Sequence, residues 1–157
     1  MAATRASIVF RTAAGARIGY GHLVRTTVLG RALGVTPVVS VRGTDAARRA
    51  ATAMRCRLAG GPAARVLAGT GASLLVIDDP SSRASQPWAR AARRQGVRVA
   101  TIHDLGLAPC DTDLAVDGSI VRPRPLPAPS LLGPRYLILA AGSAAWREPA
   151  RPSVLIA

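Results

Sequence analysis

Short apolar runs rich in Val and Ile alternate with stretches of helical spacing along most of this chain, which restricts the folds open to it. Continuous apolar runs of this length are typical of strands buried on both faces of a sheet. Four of them predict strands at residues 6–11, 35–41, 73–80 and 97–104. Shorter apolar stretches predict further strands around 56–58 and at 113–117.

Helical patterns separate these runs. Apolar residues spaced as on one helix face follow Gly21, and residues suited to helix starts (Thr44, Pro62 and Pro87) accompany three further patterns. The predicted helices cover residues 21–33, 45–54, 62–70 and 86–96. This alternation predicts an open, doubly wound, Rossmann-like α/β domain with a mostly parallel sheet over residues 1–140.

The composition suits such a sheet and argues against several other classes of protein. Aromatic residues make up only 3% of the chain, so the core must consist of Val, Leu, Ile and Ala. No apolar run approaches the roughly 20 residues of a membrane span, and the N-terminus lacks the pattern of a secretory signal. Two widely spaced cysteines, Cys56 and Cys110, predict free thiols in a reducing cytoplasm. We expect no metal and no cofactor, because neither metal-ligand spacing nor the dinucleotide fingerprint is present.

The net charge of +13 invites a comparison with nucleic-acid-binding proteins. Every basic residue is Arg, and the arginines are scattered along the chain with few aromatic residues among them. Nucleic-acid binders cluster their charge and interleave aromatic side chains for stacking. We therefore interpret the arginine content as coding bias and expect no nucleic-acid partner, while attraction to phosphorylated or acidic small molecules stays open.

The C-terminal part of the sequence has a different character. Residues 122–134 are rich in proline and predict an extended loop. The last five residues, SVLIA (153–157), predict a strand, and the sequence ends within it. We therefore expect residues 141–157 to be a linker and the first strand of a C-terminal domain that this sequence lacks.

Polar residues gather at the predicted carboxyl ends of the strands, where open α/β sheets bind their ligands. Arg11 ends the first predicted strand, Asp78 lies at the end of the fourth, and Asp104 and Asp117 end the next two. This distribution is typical of an active-site rim. Aspartate is also common in turns at strand ends, so a structural role for each residue is the alternative.

The segment RIGYGHLVR (17–25) contains one of the two histidines of the chain. Gly19, Tyr20 and Gly21 lead into a helix whose first turn offers unpaired N–H groups and a positive dipole end to a phosphate or carboxylate. The same dipole disfavours a protonated His22, so we expect the neutral imidazole that a general base requires. Arg25, one turn further on, would hold an anionic group. The alternative is a structural His22 hydrogen-bonded to a neighbouring loop.

These residues resemble a known family. FRTAAGARIGYGHLVR (10–25) is similar to the N-terminal signature of the PseG/SpsG family, approximately F-R-x-D followed by I-G-x-G-H-x-x-R. The resemblance continues in order through LLVIDDP, TIHDLG, CDTDLAVDGS and LLGPRYLILA, and so covers nearly the whole chain. The family contains UDP-sugar hydrolases of pseudaminic acid biosynthesis and relatives in spore-coat polysaccharide synthesis, and its two-domain fold is like that of GT-B glycosyltransferases.

The resemblance implies that the chain is the N-terminal domain of a GT-B-type hydrolase with a UDP-sugar as substrate. The catalytic histidine of the family falls on His22, which would activate the water that displaces UDP from the anomeric carbon. The backbone of residues 19–21 would lie near the sugar or diphosphate. Arg11 and Arg25 would contact anionic groups, and sugar hydroxyls would be contacted by Asp78, Asp104 and Asp117.

Three positions depart from the family pattern. Ala13 stands where the family has Asp, Asp79-Pro80 replaces a His-Tyr pair, and His103 takes the first place of an acidic pair. Two alternatives therefore stay open. One is a glycosyltransferase, which would need an apolar or sugar-binding surface for its acceptor, and the other is an inactive ligand-binding remnant. The intact segment GYGHLVR favours an enzyme.

Overall fold

The computed structural model describes residues 7–104, 111–119 and 129–139. Its seven strands are β1 (Ile8–Ala13), β2 (Val38–Arg42), β3 (Arg57–Leu58), β4 (Leu74–Asp78), β5 (Arg98–His103), β6 (Leu114–Asp117) and β7 (Ser130–Leu132). Its four helices are α1 (Gly21–Ala32), α2 (Asp45–Ala53), α3 (Ala63–Thr70) and α4 (Ser82–Arg94). A short 3-10 turn, Pro134–Tyr136, follows β7.

The strands form one sheet in the order β3-β2-β1-β4-β5-β6-β7, and every neighbouring pair is parallel. This confirms the predicted Rossmann-like, doubly wound α/β fold. Strand order runs outward in one direction from β1 and in the other from β4, so the topological switch point lies between these two strands. Ligands of open α/β sheets bind beyond the carboxyl ends of the strands at such a point.

Helices pack on both faces of the sheet, as the continuous apolar character of the strands requires. On one face, Phe10 and Val76 pack against Leu23 of α1. On the other face, Ile77 of β4 packs in a second apolar cluster with Trp88 of α4. Because side chains alternate along a strand, consecutive residues of β1 and β4 contribute to opposite clusters.

Two predicted boundaries differ from the structure in a way that bears on the site. Strand β1 continues to Ala13, because it pairs with both neighbours through its last residues, so Arg11 lies within the strand and not at its end. Helix α4 begins at Ser82, because the side chain of Ser81 accepts a hydrogen bond from the Ala84 amide. Pro87, predicted to lie in the first turn, is therefore an interior residue of the helix.

The C-terminal predictions are only partly covered by the described residues. Within the proline-rich stretch 122–134, the structure adds a strand that the sequence did not predict, since β7 pairs with β6. The predicted linker and strand at 141–157 lie outside the described residues, as does Cys110. Cys56 is buried and has a free thiol. In the described segments, none of the helices has both the length and the apolar character needed to cross a lipid bilayer.

Gly43 lies in the tight connection between β2 and α2 and provides a test of this packing. A Cβ atom there would collide with the carbonyl oxygen of Ala14 and lie 2.8 Å from the Cβ of Ala47. We expect Gly43→Ala to lower the free energy of unfolding by about 1–3 kcal/mol in chemical denaturation, because the added methyl group overpacks the site. Gly60→Ala, where nothing lies within 4 Å of the added Cβ, is the matched control and should change stability by less than about 0.5 kcal/mol. Equal stability of the two variants would contradict the packing described.

Candidate functional site

The loop between β1 and α1 crosses the carboxyl edge of the sheet at the switch point. The amide of Gly15 donates to the carbonyl of Gly19 at 3.0 Å, which closes the loop on itself. Gly19 has a φ of +71°, a left-handed conformation that favours glycine. Tyr20 immediately precedes α1 and is partly exposed, and Gly21 is the first residue of the helix. The loop therefore delivers His22 to the first turn of α1, as the sequence predicted.

His22 contacts the end of strand β4. Its Nδ1 atom lies 2.8 Å from Oδ1 of Asp78, a side chain that is only 1% exposed. Nη2 of Arg25 also lies 3.2 Å from Nδ1, so two groups compete for this atom. The contact with Asp78 is the shorter one, and because a carboxylate can only accept hydrogen bonds, we assign the proton to Nδ1, which donates to Asp78. In the neutral ring, the lone pair is then on Nε2, which is the arrangement of a general base oriented by a carboxylate.

Arg25, one turn along α1 from His22, binds the same carboxylate. Its Nε donates to Oδ2 of Asp78 at 2.8 Å and its Nη2 donates to Oδ1 at 2.6 Å. The remaining edge of the guanidinium binds Asp104, where Nη1 donates to Oδ1 at 2.8 Å and Nη2 to Oδ2 at 3.1 Å. Four residues, from α1, the end of β4 and the position after β5, thus form one hydrogen-bonded group, which we call the Asp78 network: His22, Arg25, Asp78 and Asp104.

The charges of this network shift the acidity of its members. The hydrogen bond to Asp78 raises the pKa of His22 above its ordinary value, against the opposing effect of burial. The hydrogen bonds from Arg25 lower the pKa of Asp104. The dipole of α1 alone would disfavour protonated His22, as expected from the sequence. That expectation is wrong in direction, because a carboxylate in direct contact outweighs the partial charge of a helix end.

A cavity of about 490 Å³ opens next to the network. Its polar side is formed by Gly21, His22, Arg25 and Asp104. Its other side is apolar and is formed by residues of the loop, the outer face of α1 and the segment after the 3-10 turn: Ile18, Val24, Val28, Leu137, Ile138 and Leu139. The volume falls in the range of small-molecule sites. The cavity therefore combines a polar group able to move a proton with an apolar wall.

Arg11 does not belong to this group. It lies on the opposite face of the sheet, where its guanidinium stacks over Trp88 at 5.3 Å and its Nη1 donates to Ser40 at 3.1 Å. Its Nε is 3.7 Å from Asp79, and burial lowers its pKa. Arg11 and His22 were predicted to serve one ligand, and the alternation of side chains along β1 separates them.

Asp79, one of the departures from the PseG/SpsG pattern, has its partners on the face of the sheet opposite to the Asp78 network. Its side chain is fully buried and binds Arg42 through two hydrogen bonds of 2.8 and 2.7 Å. It also accepts a hydrogen bond from the amide of Ser81, next to the start of α4. Asp79 therefore fastens α4 and β2 to the end of β4 on the face opposite to the Asp78 network.

Asp117 also lies away from the cavity. Arg11 pairs in register with Ile77, which pairs with Thr101, so these three side chains share one face of the sheet. His103 is two residues on from Thr101 and therefore lies on the same face. Asp117 pairs in register with His103 and shares that face. The Asp117 carboxylate is fully buried and accepts a hydrogen bond from the amide of Ser119 at 2.8 Å. This contact is the turn role expected as the alternative for an aspartate at a strand end.

The partners that complete the site carry no local signal in the sequence. Asp78 and Asp104 were noticed as strand ends, but nothing near them indicated that both would bind Arg25. Within residues 7–104, 111–119 and 129–139, no group of three or more His, Cys, Asp or Glu is arranged to hold a metal ion. The chain matches no protein-family model, and no curated protein sequence matches it.

The raised pKa of His22 can be measured by an NMR pH titration of its imidazole. We expect a value above 6.5 in the wild-type protein, and a lower one in Asp78→Asn, because the amide removes the charge that stabilises the imidazolium. Arg31→Gln, at an exposed position at the far end of α1, is the control variant and should leave the pKa of His22 unchanged. A wild-type value at or below 6.5 would contradict the contact between His22 and Asp78.

The same contact makes stability depend on pH. A raised folded-state pKa means that the folded protein binds the proton more tightly than the unfolded chain does. The resulting stabilisation is complete below pH 6.5 and is lost as the pH rises through the folded-state pKa of His22. In urea denaturation, the difference in stability between wild type and His22→Gln should therefore be larger at acidic than at alkaline pH. A difference that grows with increasing pH would contradict this sign.

Proposed function

We propose that this domain is the N-terminal part of a nucleotide-sugar hydrolase that releases UDP from a UDP-sugar. In this reaction, Nε2 of His22 takes a proton from water while the water oxygen forms a bond to the anomeric carbon. The bond between that carbon and the diphosphate oxygen breaks, and UDP leaves with the electron pair. The imidazolium then returns its proton to solvent or to the leaving diphosphate.

The hydrogen bond between buried Asp78 and His22, a residue that lines the cavity, is the observation that carries this proposal. A neutral imidazole whose Nδ1–H is held by a carboxylate is oriented to accept a proton at Nε2. The raised pKa of His22 increases its basicity. The cavity beside it has the size of a small-molecule site.

Other residues have roles that follow from their positions. The first turn of α1, with the backbone of residues 19–21, would receive the diphosphate, because helix N-termini attract anions. Asp104 lines the cavity and has a side chain that is 56% exposed, so it would accept hydrogen bonds from sugar hydroxyls. We include neither Arg11 nor Asp117 in the site, because they lie on the other face. A second domain would supply most of the contacts to the nucleotide, as the resemblance to the PseG/SpsG family implies.

The resemblance is also the support for a place in surface polysaccharide synthesis, such as the pseudaminic acid or spore-coat pathway. A cytoplasmic location follows from the same proposal, since nucleotide sugars are made and used there. The departures at Ala13 and at Asp79-Pro80 lie outside the Asp78 network. They are therefore compatible with retained chemistry at His22.

The apolar wall of the cavity favours one second candidate, a glycosyltransferase. A transferase must bind an acceptor next to the general base, and Val24, Leu137 and Leu139 present exposed apolar surface there. In that case His22 would take its proton from an acceptor hydroxyl instead of water. The two candidates share the base and the leaving group and differ in the nucleophile.

Single-turnover assays test the proposal in a protein that carries this domain together with the second domain, in excess over a panel of UDP-sugars, with UDP release as the readout. His22→Asn should lower the rate constant by a factor on the order of 10² to 10⁴, the usual worth of general acid–base catalysis. Arg31→Gln, an exposed position at the far end of the same helix, is the control and should leave the rate unchanged. Equal rates for wild type and His22→Asn would remove His22 from the mechanism.

An alkyl glycoside added as acceptor separates the two candidates. A hydrolase releases UDP at the same rate with or without it and produces free sugar. A transferase releases UDP faster in its presence and produces an alkyl disaccharide. If no UDP-sugar is bound or cleaved under either condition, both proposals fail and the domain is an inactive remnant.

A further inference from the structure

Arg25 is the member of the Asp78 network with the most contacts, and its geometry does not suit the role of anion contact. A guanidinium has five N–H donors. Four hydrogen bonds from Arg25 go to the two carboxylates, Asp78 and Asp104, at distances between 2.6 and 3.1 Å. Its side chain is only 17% exposed. A ligand phosphate would have to compete with two carboxylates that are already bound.

The contacts of Arg25 fix the orientation of the Asp78 carboxylate. Both oxygens of Asp78 are bound by the planar fork of the guanidinium, and Oδ1 also accepts the Nδ1–H of His22. Rotation of the carboxylate would break the bond to His22 and both bonds to Arg25 together. A bidentate pair of this kind is geometrically specific, which a single ammonium contact is not.

Asp104 holds the outer edge of the same guanidinium. It follows β5, whereas Asp78 ends β4, so the two carboxylates approach Arg25 from neighbouring strands. The guanidinium of Arg25 therefore lies between a buried and a partly exposed acid. Hydrogen bonds from both sides fix its position.

We propose that Arg25 is a positioning residue that holds Asp78 so that neutral His22 keeps its proton on Nδ1 and its lone pair on Nε2, with Asp104 as the outer anchor of Arg25. The catalytic consequence rests on the proposed role of His22 as the base. The effect of Arg25 on the imidazole tautomer is independent of that role, because the tautomer is a property of the folded protein without substrate.

Nitrogen-15 NMR of the imidazole in protein labelled at histidine measures this directly at a pH well above the pKa of His22. Wild type should show the Nδ1–H tautomer. Arg25→Lys keeps the charge but loses the fork, so the ratio of Nδ1–H to Nε2–H should fall by about fivefold or more, the worth of one weakened hydrogen bond. Arg31→Lys, on the same helix and exposed, is the matched control and should behave as wild type. An unchanged tautomer ratio in folded Arg25→Lys overturns the proposal.

Asp104→Asn is the second variant, because its partly exposed side chain makes loss of folding less of a risk than at the buried end. It removes the charge and one of the two acceptor oxygens that bind Arg25, and so weakens the outer anchor. The tautomer ratio should shift in the same direction by a smaller factor. If Arg25→Lys does not fold, as judged by circular dichroism, the tautomer ratio of Asp104→Asn tests the proposal instead. A wild-type ratio in Asp104→Asn then overturns the proposal.

Kinetics of UDP release separate positioning from anion binding. If Arg25 positions Asp78, Arg25→Lys lowers kcat by on the order of 10- to 100-fold and leaves KM within about twofold. If Arg25 instead binds the substrate anion, KM rises while the tautomer is unchanged, and the proposal is wrong. Absence of UDP release by wild type would refute the proposed hydrolase, while the tautomer result would still decide the role of Arg25.

Discussion

The buried carboxylate of Asp78 is the group on which the geometry of the site depends. Removing a carboxylate from water costs on the order of several kcal/mol unless cationic and hydrogen-bonding partners replace the lost hydration. His22 and Arg25 supply those partners, and both are on α1. The packing of α1 against the sheet is therefore coupled to the end of β4. A displacement of the helix along its axis would leave the carboxylate without its donors.

Asp78 and Asp79 are neighbours in the chain, yet they stabilise opposite layers of the fold. Consecutive residues of an extended segment point to opposite faces, so Asp78 binds residues of α1 while Asp79 binds Arg42 and the amide of Ser81 before α4. The two acids thus fasten helices on both faces to one strand end. That strand end lies at the switch point.

The helix dipole predicted the wrong direction for the pKa shift of His22, and the reason is physical. The dipole of α1 is a real influence on His22, but it acts through partial charges, whereas Asp78 makes a direct hydrogen bond. The anion contact expected of Arg25 stays a prediction, and a sequence shows that an arginine is present but not whether a carboxylate already binds it. Arg25 is bound by Asp78, 53 residues away, and by Asp104, 79 residues away. No window of neighbouring residues contains this information.

The sequence by itself determined the α/β class, the parallel sheet, most element boundaries and the placement of His22 at a helix start. These features depend on hydrophobic periodicity, turn residues and capping, which act over a few residues. The tertiary structure alone decided that Arg11 and Asp117 lie away from the cavity, that Leu137–Leu139 form its wall, and that His22, Arg25, Asp78 and Asp104 form one network. The reason is that strand register and side-chain alternation determine which distant residues meet. A shift of one residue in the register of a strand moves its side chains to the opposite face.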